Sequence, residues 1–278
     1  MLTAPLRDIE LSYSRSGSGP PVVLVHCSCV DGRVWHVHSE ALAKRFEVIV
    51  PDQRYFGRDA WPDDGEKFSV ASHANDLVAL LKYLDLGPVS CVGWSYGAAV
   101  VITATLDAPS LFRNIVIYEP AMASHIANVS DRETALLDRQ KMLAPALQLL
   151  DQKQPERATE AFIDAINDKP GTFRSLAKHL QQRILEARRT LALLAAAPPP
   201  PTRAEHLKQL SCPATIAYGA KTRPFYRLAA QSAAESIPDD RLCEIPGARH
   251  MWPVERVEDC IEFLLASASV GSDATHKT

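Results

Sequence analysis

Apolar residues recur along the chain in two alternating rhythms. Short unbroken runs have the length and β-branched content of strands buried on both faces: Val22-Val23-Leu24-Val25-His26, Phe46 to Val50, Asn114-Ile115-Val116-Ile117-Tyr118 and Cys212 to Gly219. Ile9 to Ser14 alternates apolar with polar, as a half-buried strand does, and Arg241 to Ile245 is the last predicted strand. Between these runs the spacing changes to three and four. Val34 to Arg45 is amphipathic, and Leu77, Leu80, Leu81 and Leu84 share one face of a helix that Ser69 or Ser72 can cap and Gly87-Pro88 stops. Further helices are predicted from Pro224 to Glu235 and from Val254 to Ala266. Strands alternating with helices predict an α/β fold: a mostly parallel central sheet covered by helices on both faces.

From about Ala121 to Pro201 the strand signal is lost. Phe173, Leu176, Leu180, Ile184, Ala187, Leu191 and Leu194 keep a three-four spacing that predicts one long helix, ended by Ala195 to Pro201. Two shorter helical stretches precede it, around Leu136 to Leu150 and Pro155 to Asn167. The pattern therefore divides the chain into a core of residues 1–120 and 202–266, an inserted helical cap of 121–201, and a polar tail of 267–278 expected to be disordered.

Composition narrows the function. A chain of 278 residues that is 46% hydrophobic suits one large domain with an insertion. The net charge of −3, with both signs dispersed, excludes a basic nucleic-acid surface. There is no basic N-terminal stretch ahead of an apolar segment and no apolar run of membrane-spanning length, so a cytoplasmic location is expected. Of the six cysteines, most fall in or beside predicted strands, where a free thiol behaves as a small hydrophobe. Cys27-Ser28-Cys29 is too tight for an ordinary disulfide and lacks a second ligand pair for zinc, so reduced thiols and no metal are expected.

One stretch carries the chemistry. Gly93-Trp94-Ser95-Tyr96-Gly97 follows a short β-rich run, Pro88 to Val92, and precedes a run of small and apolar residues, Ala98 to Ala104. Strand, tight turn and buried helix are the context in which G-x-S-x-G forms a nucleophile elbow. A serine at the tip of so sharp a turn needs neighbours without bulk, and the amides of the following helix point towards it. Because a serine hydroxyl is a weak nucleophile at neutral pH, it needs a base.

The elbow, a histidine after the last strand and a helical segment ahead of the seventh strand together resemble the α/β-hydrolase family, over almost the whole chain apart from the tail. Val25-His26-Cys27-Ser28, with Trp35 downstream, resembles that family's oxyanion loop. Val50 to Arg58 resembles the loop after its fourth strand. The resemblance implies Ser95 as nucleophile and His250, in Gly247-Ala248-Arg249-His250, as its base. The family's usual acid follows the seventh strand, but Gly219-Ala220-Lys221-Thr222-Arg223 contains no carboxylate. Some relatives place the acid after the sixth strand, where Glu119 stands; Asp239 and Asp240 are the next acids to consider. The implied oxyanion hole joins the backbone N–H groups of Ser28 and Tyr96, with Cys27 at a position usually held by glycine. Tyr55 also replaces a common glycine. It is expected, with Trp94 and Trp252, to line an apolar acyl pocket.

These readings imply a cofactor-free serine hydrolase acting on an ester, thioester, lactone or activated C–C bond of a small organic molecule. Two alternatives stay open: a cofactor-free lyase or oxygenase in which His250 is the base, and a ligand-binding receptor with a vestigial triad. The oligomeric state is open too. No membrane or nucleic-acid partner is expected.

Overall fold

A computed structural model describes residues 1–57, 61, 63–200 and 202–269. Eight strands form one sheet: β1 (Leu2–Pro5), β2 (Glu10–Ser16), β3 (Pro21–Val25), β4 (Glu47–Pro51), β5 (Val89–Trp94), β6 (Phe112–Tyr118), β7 (Ala214–Gly219) and β8 (Asp240–Ile245). Their order is β1-β2-β4-β3-β5-β6-β7-β8. Only β1/β2 and β2/β4 pair antiparallel; the pairings from β4 through β8 are parallel. The short first strand was absent from the sequence reading. Four residues ending in proline give no periodicity, and such a strand is tolerated because it lies at the sheet edge.

The continuous apolar runs serve two cores at once. On β3, Val22 and Leu24 join one cluster with Leu42 of α1 (His36–Leu42) and Leu264 of α12 (Val257–Ala268). Val23 and Val25 join the other, with Leu77 of α2 (Val70–Leu84) and Val100 of α3 (Tyr96–Asp107). Ser69 is the residue that caps α2, its side chain accepting from the Ser72 N–H. The sheet lies between the two clusters, with the C-terminal ends of its parallel strands on one rim.

Between β6 and β7 the described residues form helices and no strand: α4 (Val129–Asp151), α5 (Pro155–Ile166), α6 (Thr172–Ser175), α7 (Lys178–Glu186), α8 (Thr190–Ala196) and α9 (Ala204–Leu207). The single long helix expected over 173–194 is instead three short ones. The backbone turns extended at Leu176 and Ala177, and the Gln181 amide donates to the Arg174 and Leu176 carbonyls at that break. The apolar stripe survives: Phe173, Leu180, Ile184 and Leu191 are all buried. Helices α10 (Pro224–Ser236) and α11 (Trp252–Glu255) complete the fold.

The expected tail begins too early. Residues 267–268 belong to α12, and their carbonyls accept from Asn114 Nδ2 and Ser90 Oγ beneath the sheet. The rest of that tail from residue 270, with His276, and also Arg58 and Pro201 lie outside the described residues. No helix among the described residues is long and apolar enough to cross a membrane.

Candidate active site

Ser95 stands between β5 and α3 with φ 58° and ψ −114°, a backbone conformation rarely adopted by a residue with a side chain. The turn is crowded as well as strained. A Cβ on Gly97 would lie 2.4 Å from the His26 carbonyl oxygen, and one on Gly93 would lie 2.6 Å from the Ala98 Cα. Only glycine fits at either place. This geometry presents the hydroxyl, on a buried residue, to a cavity at the start of a helix twelve residues long.

Three side chains from three strand ends meet there. The Ser95 hydroxyl donates to His250 Nε2 at 3.0 Å, and His250 Nδ1–H donates to Glu119 Oε2 at 2.6 Å. Glu119 is fully buried and has φ 48°, so its carboxylate reaches the imidazole from a left-handed backbone just past β6. Its other partners come from the turn after β7: the Gly219 N–H donates to Oε1 at 2.8 Å and the Thr222 hydroxyl to Oε2 at 3.0 Å. The turn that lacks an acid thus supplies the donors that hold one. Asp239 and Asp240 lie at the opposite, N-terminal end of β8.

The histidine loop is anchored on both sides. Trp94 Nε1–H donates to the His250 carbonyl (3.1 Å) and the Tyr118 hydroxyl to the Arg249 carbonyl (2.7 Å). Asn167, at the end of α5, accepts from the Met251 N–H at 2.9 Å, and Arg249 donates to the Asp168 carbonyl at 3.0 Å. Tyr226 of α10 stacks face to face on the His250 ring, with centroids 3.8 Å apart and planes 14° apart. Its hydroxyl interacts with the Ser95 side chain; burial, then the neighbouring Glu119 charge, hold the phenol well above its usual pKa, so it stays protonated.

Ser28 and Tyr96 share a cavity wall with Ser95, and among the described residues neither backbone N–H is taken by a backbone acceptor. The loop carrying Ser28 is fixed by His26. Its Nε2 accepts from the Gln53 N–H (3.0 Å) and its Nδ1–H donates to the Cys27 carbonyl (2.8 Å). Burial lowers this imidazole to a pKa of about 4, so the ring stays neutral. Cys27 does not occupy a left-handed backbone, so a side chain is accommodated where glycine is usual. Burial raises its thiol well above the ordinary value, which keeps it unreactive. All six cysteines are free.

The expected aromatic lining is a correction. Trp94 packs beside Trp35, and Trp252 packs on Tyr118 and Phe263. Tyr55 takes a φ of 70° at its glycine-like position and donates its hydroxyl to Asp63. None of the three lines the cavity at Ser95. Proximity in sequence misled here, because a residue next to the elbow on a strand buried on both faces points into a core. The cavity, of about 330 Å³, is walled instead by Phe225 and Tyr226 of α10 and by Met142, Leu143 and Phe162 of the helical segment. Among the described residues no cluster of His, Cys, Asp and Glu could hold a metal ion.

The model of the alpha/beta hydrolase family matches residues 22–263. The chain belongs to the alpha/beta hydrolase family. It is 31% identical over 174 residues to a lipase, LipV, of Mycobacterium tuberculosis, covering 62% of each chain. It is 35% identical over 118 residues to pyrrolizixenacetamide deacetylase of Xenorhabdus hominickii, covering 42% of this chain and 44% of that one. The chain thus spans between two-fifths and two-thirds of the length of these curated relatives. Its fold is similar to that of a thermophilic esterase from Thermogutta terrifontis, with a TM-score of 0.76 at 23% identity over 96% of this chain and 97% of the other.

Proposed function

We propose that the protein is a serine hydrolase that cleaves an ester, thioester, lactone or activated C–C bond of a small organic substrate through an acyl-enzyme on Ser95. The observation that carries this reading is the relay of 3.0 Å and 2.6 Å from Ser95 through His250 to Glu119, opening on a cavity beside two uncommitted amides. As the Ser95 oxygen attacks the substrate carbonyl, its proton passes to His250 Nε2. The imidazolium so formed is paired with Glu119, which keeps the ring in the tautomer that can accept. The N–H groups of Ser28 and Tyr96 hold the oxyanion. His250 then protonates the leaving group, and a water activated by the same ring releases the acyl group. Tyr226 positions the imidazole by stacking on it. The segment from 121 to 201 acts as a cap that supplies most of the acyl-binding wall. The similar lipase and deacetylase both act on acyl groups, which supports this class of reaction.

A fluorophosphonate probe is expected to label Ser95, and Ser95→Ala to lose both the label and turnover of p-nitrophenyl esters. Full labelling of Ser95→Ala would refute the reading. Proton abstraction from a carbon acid that survives this substitution would favour His250 as a lyase base instead.

A further inference from the structure

Among the described residues, the charged side chains that line the Ser95 cavity are two arginines, and no carboxylate accompanies them there. Arg132 and Arg139 both lie on α4. They stand seven residues apart, two helical turns or about 10.5 Å along the axis, so they face the same way. Leu136 lies between them on that face and also lines the cavity; it is 49% exposed, which marks α4 as the mouth. Arg132 donates from Nη1 to the Ile126 carbonyl at 2.9 Å and has its other N–H groups free, among the described residues. Arg139 makes no hydrogen bond or ion pair among the described residues, although Asp138 is its neighbour in sequence. Asp138 is turned the other way, where it takes two N–H groups of Arg223 (2.6 and 3.1 Å) and the Phe225 N–H (3.1 Å). The rest of the cavity wall is largely apolar, with the serine hydroxyls of Ser28, Ser95 and Ser124 among it.

Two half-buried guanidiniums on an otherwise largely apolar wall are suited to an anion. Apolar surroundings strengthen the attraction, and a planar guanidinium suits a carboxylate, which it can hold by two parallel bonds. We propose that Arg132 and Arg139 receive a carboxylate at the far end of the substrate's acyl part, lying over Leu136 while the scissile carbonyl sits at Ser95. The substrate class is then a monoester or monothioester of a short dicarboxylic acid. This rests on the acyl-transfer reading above and narrows it. The opposite orientation, with the anion on the leaving group, places the same charge at the same arginines and is separated by the choice of ester below.

The test compares the p-nitrophenyl monoester of adipic acid with the p-nitrophenyl ester of hexanoic acid, its neutral counterpart of equal chain length. Wild type is expected to prefer the monoester, mainly through a lower KM, and to lose that preference as salt is raised. In Arg132→Gln/Arg139→Gln the ratio of the two kcat/KM values is expected to fall by about tenfold or more, with Arg139→Lys retaining part of it. A wild type that prefers hexanoate, or a ratio unchanged in the double variant, overturns the proposal. Preference for an acetate ester of a hydroxy acid over the adipate monoester overturns the orientation. Binding is read separately from catalysis by the shift in Tm that adipate itself produces. A shift in wild type that the double variant lacks supports the site even if neither ester is turned over, an outcome that would count against the acyl-transfer reading alone. No shift in wild type counts against the site.

Discussion

At the scale of single residues, Glu119 is a fully buried carboxylate held by three donors. A buried carboxylate tolerates the loss of water only if donors replace it, and here the His250 N–H, the Gly219 N–H and the Thr222 hydroxyl do so. Glu119→Gln keeps the shape and removes the charge that stabilises an imidazolium. Turnover is expected to fall by about 10⁴-fold, the cost measured for such a change in serine enzymes, with the circular dichroism spectrum unchanged. Thr222→Val leaves two donors in place and should cost only about tenfold. If Glu119→Gln stays within about tenfold of wild type, Glu119 is not the orienting acid. Ser95 and His250 were legible because each follows a strand that announces itself. Glu119 was legible through an absence, the missing acid after β7. Tyr226 was not, since an aromatic residue in the first turn of a helix gives no sign in sequence of what its ring will cover. The same ambiguity put Trp94 and Trp252 in the pocket.

At the scale of elements, strands were easier to read than helices. A run such as Ile115-Val116-Ile117 is apolar on both sides because β6 is covered on both faces, and nothing else in the chain competes with that explanation. The stripe from Phe173 to Leu194 reports which residues are buried, and it is blind to a break in the backbone that leaves burial intact. The helical segment meets the core through a shared apolar cluster and also through polar bonds, and the polar part is invisible to periodicity. Arg223, ahead of α10, grips Asp138 of α4 through two bonds and reaches Asp168 at 2.9 Å. Both side chains of the Arg223–Asp138 pair are mostly shielded from water. Arg223→Met is expected to cost about 1.5–3 kcal/mol, lowering Tm by about 3–10 °C, and to raise KM because α4 forms part of the cavity wall. An unchanged Tm would mean that α4 is held in place without this pair.

At the scale of the whole molecule, four histidines besides His250 are packed away from water: His26, His38, His73 and His125. Desolvation, the largest cause in each, lowers them to a pKa of about 4, or about 3 for His73. An unfolded chain protonates these rings near pH 6.5, whereas the folded protein resists until much lower. Protons therefore favour the unfolded state in the interval between. The stability contributed by the neutral rings is fully present above about pH 6.5, declines as pH falls through that value, and is gone below about 3–4. Denaturant midpoints taken at intervals from pH 8 to pH 4 are expected to be flat at the upper end and to fall steeply below 6.5. A midpoint unchanged down to pH 4.5 would contradict the burial of these rings.

The bonds on either side of His250 carry a further consequence. Asn167 and Asp168 of the helical segment hold the backbone of Met251 and the side chain of Arg249. Any displacement large enough to lift those two residues withdraws support from the base itself. On the proposed mechanism, access and turnover are therefore coupled: a substitution that loosens the end of α5, such as Asn167→Ala, is expected to lower kcat as well as change KM, because the loop that carries His250 loosens with it.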